Sequence, residues 1–373
     1  MHPLLDPERQ ALARRYEREK RLIGLAGTAL SLALLLAFFF LGASARLASL
    51  PAFVWAFIIY GAALLAWMTI LGLPLAFFAG YVREHRWGFS TQTPAGWLTD
   101  QVKGFGVGLV LGWIGLALLL LVMARFGPWW WLVAGLGMAL VGVVMSTLAP
   151  VIIDPIFHRY KPITDETLTR PLLDILAREG LKSSGFFEED MSRRTRKENA
   201  FLAGLGRTRR VVLGDTLVKS MTVPEIVGVI GHEVGHFRFR HIWKGIAAGT
   251  VEQVAVFFAL DAVMRAAFPA SFLASPRANM SLVPMMAAVG VAVVGAVFGP
   301  LGNSISRCFE KQADIYAVTH VPDGRAFIAA LAGLANRNLS NAYPARWVKI
   351  LYYSHPPVGE RLDDCERALA GRP

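Results

Sequence analysis

The chain has 373 residues, of which 54% are hydrophobic and 17% charged, too apolar for an ordinary soluble protein of this length. Its net charge of +11 lies beside the apolar runs, and no nucleic-acid motif or aromatic–basic platform accompanies it, so nucleic acid is excluded as the partner. The positive charge reads as a topology signal with added attraction to anionic membrane lipid.

Residues 1–21 carry Arg9, Arg14, Arg15, Arg18, Lys20 and Arg21 and are expected to form a polar helix at the cytoplasmic interface. Leu22 to Ala43, Pro51 to Val82, Gly104 to Ala124 and Trp129 to Ala149 are each long enough to cross a bilayer. Two more runs, Ile246 to Phe268 and Leu282 to Leu301, bring the expected number of transmembrane helices to six. Ala43-Ser44-Ala45 looks like a signal-cleavage site, but the apolar run before it, about twenty residues, exceeds a secretory h-region. It is read as an uncleaved anchor. The first loop has only Arg46, the second has Arg83, Arg86 and Lys103, and the third has Arg125 alone. Since Lys/Arg-rich segments stay cytoplasmic, both termini and the 151–245 region are expected inside. A bacterial inner membrane is the expected location, on the absence of recognisable targeting signals.

From residue 150 the composition becomes that of a soluble region. Leu168 to Glu179 has helical periodicity, Val211-Val212-Leu213 reads as a strand, and Arg207-Thr208-Arg209-Arg210 as the hairpin turn before it. Thr222-Val223-Pro224-Glu225 is a capping box with proline just inside a helix start. That helix carries Gly231-His232-Glu233-Val234-Gly235-His236. Histidines four apart lie on one helix face. The spacing suits two neutral imidazoles on a zinc ion and leaves Glu233 free to take a proton from water; two surface histidines are the plain alternative.

Arg238, Arg240, His241 and Lys244 read as a basic collar near the membrane, with His241 part of the collar and not a ligand. In the fifth run, Asp261 and Arg265 are one turn apart and are expected to pair. Glu252 has no local partner and is assigned to a polar cavity wall. Cys308 and Cys365 are expected to be reduced thiols.

A hydrolytic zinc site keeps three protein ligands and one open position. The extended zinc signature needs a histidine where Ile242 stands, so that route is closed. The remaining source is Ser306 to Asp314, where Glu310 and Asp314 share a helix face: one can bind metal while the other buttresses a ligating histidine.

Taken together, these motifs resemble the integral-membrane CaaX prenyl endopeptidases. The likeness runs from the second apolar run to Leu362. It includes Gly88-Phe89 and Gln92-Thr93, Asn199-Ala200-Phe201, Arg210 to Leu217, Gly231 to His236, the Ser306 to Asp314 segment, Tyr353 to Pro357, and Glu360-Arg361-Leu362. Eukaryotic members have an extra N-terminal span, a histidine at the position of Trp87 and an insertion before the zinc helix. Cys308 and Lys311 replace an arginine and an aromatic. No metal ligand or base is lost.

The resemblance implies a mainly α, polytopic membrane fold, with about six helices around a water-filled chamber and a cytoplasmic gluzincin-type α+β metalloprotease domain. The implied organisation is an interfacial segment over 1–21, four transmembrane helices over 22–150, a catalytic region with the zinc helix over 151–245, two transmembrane helices over 246–305 and the second half of the catalytic domain over 306–373. It implies one Zn²⁺ on His232, His236 and Glu310, with Glu233 as base and Asp314 orienting a histidine. It further implies His355 stabilising the oxyanion with Arg361 in support, and Asn199 and Ala200 pairing with an extended peptide or protein tail, prenylated or not. Two other readings are weighed: a quality-control protease of membrane proteins, and a transporter or scaffold with structural zinc. The second is disfavoured because structural zinc sites are closed by four ligands, usually including cysteine.

Overall fold

A computed structural model describes residues 1–371 except 182 and 205–209; the hairpin turn expected at 207–209 lies outside the described residues. The first helix, α1 (Pro7–Phe40), is continuous from the polar segment into the first apolar run. Asp6 caps it by accepting from the backbone N–H groups of Glu8 and Arg9, satisfying donors that a helix start leaves unpaired. Its polar half is docked on the C-terminal part of the chain. Leu5 is buried with Phe327, Leu331 and Leu362. Gln10 donates to Ser340 O at 3.1 Å and accepts from Ala342 N–H at 3.0 Å, and Glu17 accepts from Asn341 N–H and the Tyr353 hydroxyl.

Among the described residues, five helical stretches are long and apolar enough to cross a membrane: Pro7–Phe40, Phe53–Arg86, Pro94–Phe157, His241–Ala267 and Pro276–His320. Their apolar windows are at most 22% buried within the protein, as expected of faces that meet lipid. The expected six are not reached. The third and fourth apolar runs fall in Pro94–Phe157, where only the turn Gly127–Trp129 separates α3 (Pro94–Phe126) from α4 (Trp130–Leu148). Gly127, at φ 47° and ψ −117°, ends α3, and α3 packs against α4; by length and composition the whole stretch counts as one of five, and a sixth span is not shown. The second stretch begins with α2 (Phe53–Phe77), which contains Pro74 and passes into a π-helical turn at Phe78–Val82, the local disturbance that an internal proline brings.

The soluble region is built on a four-stranded sheet, ordered β1 (Tyr160–Pro162), β2 (Phe186–Glu189), β4 (Arg210–Gly214), β3 (Ala200–Ala203). β2 and β4 are parallel and the other pairs antiparallel. Val211, Val212 and Leu213 are all fully buried, which is why β4 reads as an unbroken apolar run and not as an alternation. β3 is an edge strand. Against the sheet pack α5 (Glu166–Arg178) and α6 (Val223–Arg238), in a core that includes Leu172, Leu176, Leu217, Ile226 and Ile230.

The remaining long helices are α7 (His241–Ala267), α8 (Pro276–Val293), α9 (Gly299–His320), α10 (Gly324–Asn338) and α11 (Val358–Ala370). α7 packs along α4. Asp261 on α7 accepts from Trp130 Nε1 at 2.6 Å and from Arg265 Nε at 2.7 Å, so the expected Asp261–Arg265 pair forms and is joined by a tryptophan.

Candidate metal centre

α6 starts at the expected capping box: the Thr222 N–H donates to Glu225 Oε2 at 2.7 Å. His232 and His236 therefore sit in the third and fourth turns, past any fraying at the start. α6 lies along α9 and α10, and close approach is possible because Gly231 has no side chain; a Cβ there would meet Val321 Cγ1 at 2.4 Å. α9 in turn continues from the last apolar stretch, so the membrane region and the soluble region each deliver one wall of the site.

The two helices bring His232, His236 and Glu310 together, with one ligand atom from each lying within 4.8 Å of the others. Glu310 Oε2 is 3.2 Å from His232 Nε2, and Glu310 Oε1 is 3.2 Å from His236 Nε2. The two imidazole Nε2 atoms are 3.2 Å apart. Glu310 Oε2 is buried and has no well-aligned hydrogen bond, with His232 Nε2 facing it at 3.2 Å. A buried carboxylate oxygen left without a well-aligned donor is costly, and a cation at the focus of these three groups would satisfy it. The donor set of two imidazoles and one carboxylate fits a hydrolytic metal ion with an open position.

Behind the ligands, Asp314 Oδ1 lies 2.8 Å from His232 Nδ1. Arg361 holds Asp314 by a fork, with Nε donating to Oδ2 at 2.7 Å and a terminal nitrogen to Oδ1 at 2.6 Å. The expected buttress is thus in place, and Arg361 acts on it. Arg361 does not line the cavity that holds the histidines; it faces a neighbouring one of about 630 Å³. Burial would lower the His232 pKa, but the Asp314 hydrogen bond and charge outweigh it and raise the metal-free imidazole to about 9. Burial raises the Glu233 carboxyl above its usual range, opposed by the adjacent histidine charges and a hydrogen bond from the Leu202 backbone.

The cavity over the site, about 570 Å³, is lined by Glu233, Glu310, His355, Leu202 and, from α7, Glu252, the polar wall position expected for Glu252. His355 Nε2 is 3.4 Å from Glu310 Oε1. The His355 loop is steadied by Arg307, which donates to the carbonyls of Lys349 and Tyr353 at 3.0 and 2.6 Å. Asn199 and Ala200 are at the start of edge strand β3, with Gly214 N–H donating to Asn199 O at 2.9 Å. Among the described residues of β3, Leu202 lines the cavity.

His241, read as part of a basic collar and not as a ligand, stands outside the group of three but is not at the surface. Arg240 takes a left-handed backbone, φ 56°, and turns α7 back so that His241 is buried, 4% exposed, beside His236. Histidine spacing gives no sign of this, because the bend falls at a residue with no glycine or proline to announce it. Arg307 and Gln312 lie in the recognised Ser306 to Asp314 segment, but their contacts depend on the fold.

Residues 1–159 match the family description "CAAX prenyl protease N-terminal, five membrane helices", and residues 162–368 match "Peptidase family M48". The chain belongs to peptidase family M48. The expected family and the expected mainly α membrane architecture with a metalloprotease domain are both borne out. This M48 peptidase is a multi-pass integral membrane metallopeptidase. It is 28% identical over 302 residues, 80% of its length and 70% of the relative's, to an "Uncharacterized metalloprotease YhfN" of Bacillus subtilis (strain 168). It is 29% identical to a "CAAX prenyl protease 1 homolog" of Arabidopsis thaliana, over 83% of its length and 72% of the relative's. The "CAAX prenyl protease 1" of Saccharomyces cerevisiae is 28% identical, over 79% of this chain and 68% of that protein. The crystal structure of S. mikatae Ste24p superposes with a TM-score of 0.84 at 24% identity, covering 98% of this chain and 90% of that one; the M48 peptidase shares its fold.

Proposed function

We propose that this M48 peptidase uses one zinc ion to cut peptide bonds near the C-terminus of protein tails, in the manner of the CaaX prenyl proteases whose names its plant and yeast relatives carry. The observation that carries the reading is the convergence of His232, His236 and the buried Glu310 carboxylate, with one ligand atom from each within 4.8 Å of the others. Zinc held there would polarise the scissile carbonyl and lower the pKa of water toward about 7.

The protein's own groups divide the remaining work. Glu233, beside His232 and facing the same cavity, takes the proton of the attacking water and passes it to the leaving amine. Its raised pKa suits a group that must both accept and return a proton. His355, 3.4 Å from Glu310, donates to the oxygen on which charge develops. Arg361 holds Asp314, and Asp314 keeps His232 turned with Nε2 toward the metal. Substrate lies extended along β3, starting at Asn199 and Ala200, and pairs by strand addition. The alternation of Lys/Arg between loops supports a cytoplasmic site and cytoplasmic termini, and the proposal places the protein in a bacterial inner membrane.

The test is purified protein given a farnesylated CaaX peptide, its unprenylated twin and an unmodified denatured membrane protein, with the Glu233→Gln protein as control. Tripeptide release from the farnesylated peptide supports the proposal. Cleavage of the denatured protein alone would move the assignment to quality control, and zinc binding with no cleavage of any of the three would defeat the catalytic reading.

A further inference from the structure

We propose that His241 and Gln312 hold His236 in the tautomer that leaves its Nε2 lone pair free for metal, a proposal that rests on the zinc reading above. Gln312 Oε1 is 2.9 Å from His241 Nε2. A carbonyl oxygen only accepts, so the proton of a neutral His241 sits on Nε2 and its Nδ1 is an acceptor. That Nδ1 is 3.0 Å from His236 Nδ1, which must then be the donor. His236 Nε2, the atom that faces Glu310 Oε1 and His232 Nε2, is left unprotonated. Metal-binding histidines need this arrangement: a partner on the far nitrogen fixes both the tautomer and the ring plane.

The surroundings keep the relay aligned. The His241 ring stacks on Phe309 with centroids 4.3 Å apart and planes at 10°, and lies against Phe239 at 5.7 Å. Phe309 precedes Glu310 and Gln312 follows it by two residues, so one short segment of α9 supplies a metal ligand, the stacking ring and the terminal acceptor of the relay. The two imidazoles are thereby served differently. His232 turns its far nitrogen to a carboxylate, Asp314, while His236 turns its own to a neutral ring. A neutral partner orients His236 without adding a third negative charge beside Glu310 and Asp314. His241 and Gln312 are thus positioning residues, acting through His236.

The test compares zinc affinity, by competition with a chromophoric chelator at fixed pH, for the full-length wild type, His241→Phe, His241→Asn and Gln312→Met. Phenylalanine keeps the ring on Phe309 and deletes the acceptor, so affinity should fall about tenfold to a hundredfold, the range for lost outer partners. Asparagine returns an oxygen at the position of Nδ1 and should restore affinity to within a few-fold of wild type. Wild-type affinity in His241→Phe overturns the proposal, as does an equal loss in His241→Asn, which would mark a packing effect. If thermal unfolding shows that His241→Phe does not fold, Gln312→Met decides: a several-fold loss supports the relay, and unchanged affinity overturns it. Wild type that binds no zinc at all defeats the metal reading itself, and is told apart from the other outcomes by that arm alone.

Discussion

Gly235 lies against the backbone of Ala313: a Cβ at 235 would stand 3.0 Å from the Ala313 Cα and 3.2 Å from its carbonyl oxygen. The contact falls one residue before His236 on α6, and on α9 between Glu310 and Asp314. It therefore sets the separation of the two ligand-bearing helices where three ligands must share one ion. Backbone cannot rotate out of the way, so Gly235→Ala should push the helices apart, with a stability cost of about 1–3 kcal/mol from overpacking. Zinc content per chain, measured by elemental analysis after dialysis, should drop with it. Full zinc occupancy in a Gly235→Val protein would show that the close approach does not matter to the site.

Glu233 faces the cavity but is outside the group of three that converge. Glu233→Gln should leave zinc stoichiometry unchanged while hydrolysis falls by about 10²–10⁴-fold, the typical contribution of a positioned proton acceptor. Parallel zinc and single-turnover measurements check both halves of the statement. A loss of metal with activity would place Glu233 among the ligands.

Asp314 is held on one side by both donors of Arg361 and touches His232 on the other. Asp314→Asn should weaken zinc binding by about 10- to 100-fold. Arg361→Gln should produce part of that loss, because it frees the carboxylate without removing it. A double variant no weaker than Asp314→Asn alone would show that Arg361 acts through Asp314; additive losses would assign it a separate contact.

In the metal-free protein the pKa of His232 is raised from 6.5 to about 9, so the folded state holds a proton that the unfolded chain gives up earlier. That proton adds stability fully present below pH 6.5 and lost as pH rises through about 9. Zinc needs the deprotonated ring, so binding releases the proton and its affinity should rise with pH by up to about tenfold per unit, levelling above about pH 9. Thermal melts with chelator should therefore shift downward between pH 6 and 9, while the zinc-dependent stabilisation should grow over the same interval. Zinc affinity that is flat across it would refute the proton competition.

Much of the site could be read from local pattern. The ligand pair is a property of one helix, whose start is announced by Thr222, Pro224 and Glu225, and helical spacing alone puts His232 and His236 on one face. The apolar runs are as legible, because hydrocarbon demands some twenty apolar residues whatever the neighbours. Their number differs at one place: six runs are legible, and five long apolar helical stretches stand among the described residues. Arg125, Gly127 and Pro128 mark the break between the third and fourth runs in the sequence, and the turn at Gly127–Trp129 falls there.

By itself, the sequence determined the helix, the histidine pair and the membrane character, since each depends on contacts within a few residues or on solvation. The choice of Glu310 as the carboxylate facing both imidazoles, with Asp314 behind His232, was decided by the tertiary structure, because the two share a helix face and only the packing of α6 on α9 distinguishes them. The same holds for His241, buried against His236 by a left-handed residue, and for residues 1–21, whose charges read as interfacial until Leu5, Gln10 and Glu17 find partners more than 300 residues away. Such contacts leave no periodic trace, since their energy comes from which surfaces meet and not from the order of neighbours along the chain.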